Sequence, residues 1–512
     1  MKRNNIIKGF LYLGIVSLSI GCTNLDEEIL DGIATNTSAG GTIDAAGTLQ
    51  SAYEGLRDFN GQGGVYAMDE MSTDAMVGPT RGGDWDDNGS WRQLHNHTWG
   101  ADHVEVRNAF NSLLSNVYKC NLVIENGGNA AQIVQARFLR AWYYYNVVDL
   151  FGQAPYRKPG TPLTDEPDVW TRAEATQFVI SELEAIASSL PTRTPEDASI
   201  ANKDAAHFLL AKIYLNKAVF TAANAAGPYT FDAADMTKVV QHVDAITNTL
   251  STAGDGYWNN FQPNNNTSEE IIFSSKNRLG KSDGGMQSKW RMCAHYNQTP
   301  GGWNGFSTLG EYYDRFVPTD KRINFSNALL VEKMGNQAGF QVGQQYEPGG
   351  VKKLKDRNGN DLSFTKDVTL VISGNAIEFA GIRGLKYIPD FNNIEQPDND
   401  LILMRYSDAL LMKAEAIARG GAAGSGISPA TIMTNLAARA GVTAAATTLE
   451  GIYAERGREL WWEGWRRNDA IRFGKFLAAR QLKPSVSDKR FVLYPIPADA
   501  LFNSKLKQNP GY

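Results

Sequence analysis

ARFLRAWYYYNVVDLFGQAPY, residues 136–156, is the stretch that decides the fold. Ala136, Leu139, Tyr143, Val147 and Leu150 recur at steps of three and four, and Phe138, Trp142 and Tyr145 form an adjoining stripe. The two stripes predict a helix over 133–150 that is apolar around most of its circumference, so it is buried on nearly every side. Gly152 ends it and Pro155 follows, the order expected at a helix C-terminus.

Working outward, the periodicity from 43 to 250 is mostly helical. A second strong helix is predicted over 204–220, where Ala205, Phe208, Leu209, Ala211, Tyr214 and Leu215 alternate small and large side chains. Further helices are expected over 401–418 and 449–464. Helices with small residues at close-packing positions, joined in pairs, look like degenerate tetratricopeptide repeats, although no strict 34-residue period is visible. Between 251 and 400 the chain is rich in Gly, Asn, Asp and Pro, with β-like runs at 270–274 and 368–372 and a turn signal at Arg357-Asn358-Gly359-Asn360. The expected organisation is a helical region 22–250, a loop-rich insert 251–400 with small β-hairpins, and a helical region 401–512, interleaved as one fold.

The start, MKRNNIIKGFLYLGIVSLSIGCTNLDEE, reads as a lipoprotein export signal over 1–21: Lys2, Arg3 and Lys8 precede an apolar core, and Ser19-Ile20-Gly21-Cys22 forms the cleavage box. Acylation of Cys22 would tether the mature chain to a membrane rather than thread it through one. The acidic run Asp26-Glu27-Glu28 follows as a solvated linker. Composition is that of a globule folding in water, with 42% hydrophobic and 21% charged residues. A net charge of -5 sets nucleic acid aside, since neutralising phosphates needs an excess of Lys and Arg. Cys120 and Cys293 read as buried free thiols, with a disulfide left open by an oxidising compartment.

Chemistry concentrates in one loop, GPTRGGDWDDNGSWRQLHNHTWG. Sugar rings present flat C–H faces to indole, while their hydroxyls bond to Asp, Asn and Arg. Arg81, Asp84, Trp85, Asp87 and Asn88 supply that mixture within eight residues. Trp91 and Trp99 are better placed to pin the loop; Trp258, Trp290 and Trp303 lie in the irregular middle. Asp84-x-Asp86-x-Asn88-Gly89 matches half of a calcium loop but meets His95 where a bidentate Glu is needed, so a self-bonded Asp/Asn/Gly turn explains it more cheaply. His95, His97 and His103 lack the companions of a zinc site. Glu455, Glu459 and Glu463, interleaved with arginines, share one helix face and cannot flank a substrate, which points to ion pairing. No nucleophile elbow, phosphate loop or dinucleotide fingerprint is present, and no cofactor is expected.

Four ordered stretches resemble the SusD/RagB family of surface nutrient-binding lipoproteins: 136–156, RYSDALLMKAEAIARG (405–420), ERGRELWWEGWRRNDAIRFGKF (455–476) and LYPIPADALFNSKLKQNPGY (493–512). The resemblance implies a mainly α, right-handed tetratricopeptide-like scaffold carrying an irregular subdomain, lipid-anchored on the outer membrane. It implies a lid on a SusC-like TonB-dependent transporter that binds an oligosaccharide without catalysis. By position in the family's pattern, Arg81, Trp85 and Asn88, with Tyr296, Trp303 and Asn304 of HYNQTPGGWNGF, are the implied sugar contacts. A peptide ligand in the same role, or a surface glycoside hydrolase, are the alternatives.

Overall fold

The helix expected at 133–150 spans Ala130–Phe151 in the computed structural model, and every residue from Phe138 to Phe151 is buried. The structure describes residues 43–512 except 159–160, 163, 282–284 and 503; the export signal, Cys22 and the acidic run lie outside the described residues. Asn129 caps the helix, its side chain accepting from the Gln132 N–H while Gln132 reaches back. Gly152 closes it at φ 72°, and a Cβ there would meet Leu493 Cδ1 at 2.7 Å, so both the turn and the close approach require glycine.

In chain order the first part runs α1 (Ala45–Glu54), α2 (Gly64–Glu70), β1 (Thr80–Arg81), α3 (Ser90–Asn96), α4 (Val104–Glu125), α5 (Ala130–Phe151), β2 (Gln153–Tyr156), β3 (Asp168–Thr171), α6 (Arg172–Ile186), α7 (Lys203–Phe220) and α8 (Ala233–Asp244). The irregular middle carries β4 (Ile271–Ser275), β5 (Asn324–Phe325), β6 (Ala338–Gln341), β7 (Gly343–Gln344), β8 (Ser363–Phe364), β9 (Val371–Ile372) and β10 (Arg383–Leu385), besides short helical turns. The last part is β11 (Leu401–Arg405), α9 (Tyr406–Ala418), α10 (Pro429–Ala440), α11 (Leu449–Glu459) and α12 (Arg466–Arg472).

From α4 to α8 each helix packs on the next, and α9 returns from late in the chain to pack on α7 and α8. This is the mainly α scaffold of tetratricopeptide-like helix pairs. The strands form small sheets in the orders β1-β9, β10-β6-β5, β11-β4, β2-β3 and β7-β8. Two sequence expectations are corrected. The apolar run Leu401-Ile402-Leu403-Met404 is strand β11, antiparallel to β4 and buried on both faces, a pattern that periodicity cannot tell from a buried helix. The helix expected to 464 stops at Glu459, so Glu463 lies beyond it.

Arginine–carboxylate pairs lock the C-terminal helices into the body. Arg405 reaches Glu270 at 2.6 Å, Glu459 at 2.7 Å and Glu463 at 2.7 Å; Arg439 shares Glu270 and Glu459; Arg322 bonds Asp320, Glu455 and Glu459. The three glutamates are therefore spent on ion pairing, as their spacing suggests. Burial opposes ionisation of Glu459, yet the three arginines hold its carboxyl well below the usual range. At the terminus Asn509 donates to the carbonyls of Phe151 and Tyr494, and the Tyr512 hydroxyl accepts from Trp99 Nε1 at 2.7 Å. The closing motif thus stitches the chain end to the end of α5. Cys120 and Cys293 are free and buried, and burial pushes both thiols up to about 12. Among the described residues no helix is long and apolar enough to cross a membrane.

Candidate functional site

β1 pairs in parallel with β9, and the chain then turns through 82–89 into α3. Arg81 and Asp84 exchange backbone hydrogen bonds at 2.9 and 3.0 Å, closing the turn. Trp85, Asp87 and Asn88 all take positive φ, at 60°, 40° and 54°. Left-handed backbone at a tryptophan is a genuine outlier, and such strain gathers where a loop is held for use.

A second loop, 294–305, folds back on the short helix Ser288–Arg291: Trp303, Asn304 and Gly305 donate to the carbonyls of Arg291, Ala294 and Met292. The two loops meet where Trp85 Nε1 donates to the Trp303 carbonyl at 2.9 Å. The ring centroids of Trp85 and Trp303 are 6.4 Å apart, and Trp85 also lies on Phe306 at 4.7 Å. Both tryptophans are half-buried. Trp91, Trp99, Trp258 and Trp290 are buried, the first three with their indole N–H on Asp87, Tyr512 and the Lys321 carbonyl.

Tyr296, also half-buried, donates its hydroxyl to Asp84 at 2.9 Å and carries the Arg357 guanidinium 4.1 Å from its ring centre. Burial, then the Asp84 acceptor, pushes that hydroxyl up to about 12. Arg357 grips Glu378, which also accepts from His295; against the opposing effect of burial, these partners hold Glu378 down to about 2. One ring face of Tyr296 is thereby covered.

Two expected contacts are corrected. Arg81 is buried, and its guanidinium donates to the carbonyls of Gly305, Ile377 and Ala380 and to Ser307 Oγ. Asn304 is buried as well, donating to the Ile377 carbonyl at 2.9 Å and accepting from Arg383 at 2.8 Å. Both side chains fasten the loops to the body and present nothing to a ligand. Asp84, Asp87 and Asn88 stay exposed, although Asp87 also takes the Trp91 indole N–H at 2.5 Å.

The calcium-like turn splits its carboxylates: Asp84 takes Tyr296, while Asp86 takes Arg92 at 2.8 Å. His95, His97 and His103 are buried, each bonded through Nε2 to a different carbonyl, of Gln481, Ser72 and Ser90. Burial first, then Arg480, lowers His95 to about 3 and His97 to about 2, so both rings are neutral struts. Among the described residues no three His, Cys, Asp or Glu side chains gather as a metal site.

Trp85 also borders a cleft of about 630 Å³. Its floor and walls combine Trp85, Trp91 and Asp87 with Asp58, Gln62 and the glycines 61, 63 and 64, and with Glu105, Asn108, Ala109 and Ser112 of α4. Sequence reading missed this wall. The signal was there, because 105, 108, 109 and 112 fall on one helical face, but a polar face reads as solvated unless a partner surface is known.

Residues 240–485 match the family model described as "SusD family", and 30–215 match one described as "Starch-binding associating with outer membrane". The chain is similar to Starch-binding protein SusD of Bacteroides thetaiotaomicron, at 23% identity over 573 aligned residues covering 100% of each chain. Among solved structures it is similar to surface glycan-binding protein A of Bacteroides thetaiotaomicron in complex with laminarihexaose. That match has a TM-score of 0.65 and 21% identity, over 91% of this chain and 98% of that one. A SusD superfamily protein from Parabacteroides distasonis gives a TM-score of 0.69 at 17% identity, over 91% and 98%.

Proposed function

The chain belongs to the SusD/RagB family, and from that premise we propose that it is a surface lipoprotein which captures an oligosaccharide and passes it to a SusC-like TonB-dependent transporter, breaking no bond itself. The observation that carries this reading is the pair Trp85 and Trp303, half-buried on two loops that hydrogen-bond to each other, beside a cleft lined with carboxylates, amides and a hydroxyl. Indole faces stack on sugar C–H faces and the polar groups bond to hydroxyls, the two requirements of a carbohydrate site. Starch and laminarihexaose, named for the similar proteins, support a glycan over a peptide. Affinity is expected to be modest, because capture must be followed by release.

The test is to titrate the purified chain with starch and laminarin by calorimetry, and to assay the same mixtures for new reducing ends. Saturable binding without shortened products supports the proposal. Products would overturn the non-catalytic part, and failure to bind any of a broad glycan panel would overturn capture.

A further inference from the structure

The large cleft beside Trp85 carries one sign of charge. α4 turns Glu105, Asn108 and Ser112 toward it at helical spacing, and Asp58 and Asp87 complete the rim; no Lys or Arg is among its described lining residues. The buried Lys289 donates to the carbonyl of the lining residue Gly61 at 3.1 Å, with its ammonium over the Tyr66 ring, and the other nearby cations are directed elsewhere. Arg92 pairs with Asp86 at 2.8 Å, Arg57 is 3.7 Å from Glu54 and donates to the Lys276 carbonyl, and Arg107 sits about 200° around α4 from Glu105. Glu105 accepts the Gly64 N–H; burial, with the charge of Asp87 adding to it, holds its carboxyl above the usual range against that bond. The exposed Asp84 adds to the negative field around the loop, while Asp86 is balanced by Arg92.

We infer that this wall is a charge filter: Asp58, Asp87 and Glu105 admit neutral or amine-bearing sugars and turn away glycans that carry carboxylate or sulfate. The inference rests on the glycan-capture reading and adds the chemical class of ligand to it. Like charges a few ångströms apart at a protein surface repel more strongly than in bulk water, and salt weakens the repulsion. A polyanionic chain would meet that repulsion at every charged residue it threads past, with no guanidinium or ammonium among the described lining residues to offset it.

The experiment compares each polysaccharide with charged derivatives of the same backbone: starch and laminarin, their C6-oxidised forms and their sulfated forms, each titrated at 50 mM and 500 mM NaCl. The expected result is that the neutral forms bind, and that the oxidised and sulfated forms bind about tenfold or more weakly at low salt, with the gap narrowing at high salt. Asp58→Asn, at an exposed position, should narrow the gap alone, and Asp58→Asn with Asp87→Asn and Glu105→Gln should narrow it further. Charged derivatives that bind as well as the neutral parent would overturn the filter and leave capture standing. A gap indifferent to both salt and Asp58→Asn would overturn it too. If neither neutral nor charged forms bind, the comparison is repeated on a neutral glycan drawn from the broad panel, and failure across that panel overturns capture and the filter with it.

Discussion

Trp85 and Trp303 are joined by a hydrogen bond from indole N–H to backbone carbonyl, 2.9 Å long, although 218 residues separate them in the chain. The Trp85 ring is thus positioned by the loop of Trp303. Replacing either with alanine removes one stacking face; only Trp85→Ala also removes the bond, since Trp303→Ala keeps the accepting carbonyl. Trp85→Ala and Trp303→Ala are each expected to raise the glycan Kd about tenfold, or ~1.4 kcal/mol, while circular dichroism stays unchanged. Trp85→Phe, which keeps a ring but loses the bond, should fall between. Calorimetry on the three variants checks this, and wild-type affinity in both alanine variants would remove these rings from the site.

Gly305 lies against the Trp85 ring so closely that an added Cβ would stand 2.5 Å from Cε2 and 2.7 Å from Cζ2. Its φ is not in the left-handed range, so the requirement for glycine here is space alone. Gly305→Ala must push the indole aside. It should weaken glycan binding nearly as much as Trp85→Ala and shift the tryptophan emission, at a stability cost of about 1–3 kcal/mol. Unchanged emission and affinity would show that the ring does not need this seat.

How much of this was legible in the chain depended on whether the signal was local. The helix Ala130–Phe151 could be read because its stripes, its cap and its terminal glycine are all within one segment. Strand β11 could not, because LILM is apolar at every position and only its pairing with β4 declares it a strand. Trp85 and Trp303 stood out as tryptophans among Gly, Asp and Asn. Arg81 stood out for the same reason and misled, since the carbonyls of Gly305, Ile377 and Ala380 that consume it come together only in the folded chain. The α4 wall of the cleft was hidden likewise: Asp58 and the glycines opposite it lie about a dozen helix turns away in sequence, and only the packing of α2 on α4 makes the polar face a wall.

Arg81 is expected to be a structural residue. Arg81→Met leaves the buried Gly305 carbonyl without its donor and takes one of two donors from the Ile377 and Ala380 carbonyls and the Ser307 hydroxyl, which keep Asn304 and Arg383, at about 1–3 kcal/mol. The variant should lower the denaturation midpoint, whereas Asn88→Asp, at an exposed position whose left-handed backbone Asp tolerates as Asn does, should leave that midpoint in place. Equilibrium urea unfolding distinguishes them; equal midpoints for Arg81→Met and wild type would contradict the buried assignment.

His95 sets an acid limit on stability. Its ring titrates near 3 when folded, lowered by burial and by Arg480, against about 6.5 in the unfolded chain. Below pH 6.5 the unfolded state takes up a proton that the native state refuses, so stability is lost as pH falls from there toward 3. Wild type should lose about 2 kcal/mol more than His95→Gln between pH 7 and pH 5. Parallel stability curves for the two proteins over that range would show that the ring is not held neutral.

Glu459 faces three guanidiniums, those of Arg322, Arg405 and Arg439, with no exposure to water. Glu459→Gln removes the charge and keeps the shape, so the arginines lose a counter-ion while Glu270, Glu455 and Glu463 remain with them. Breaking one member of such a buried set costs about 3–5 kcal/mol, because an uncompensated charge stays behind. The loss should appear in the unfolding free energy and leave glycan affinity of the folded fraction unchanged. Replacing Glu459 together with Arg439 by apolar residues of similar volume should cost less than Glu459→Gln alone, since it removes charges in pairs. A double variant no more stable than the single one would mean that shape, and not charge balance, holds α10 and α11 to the body.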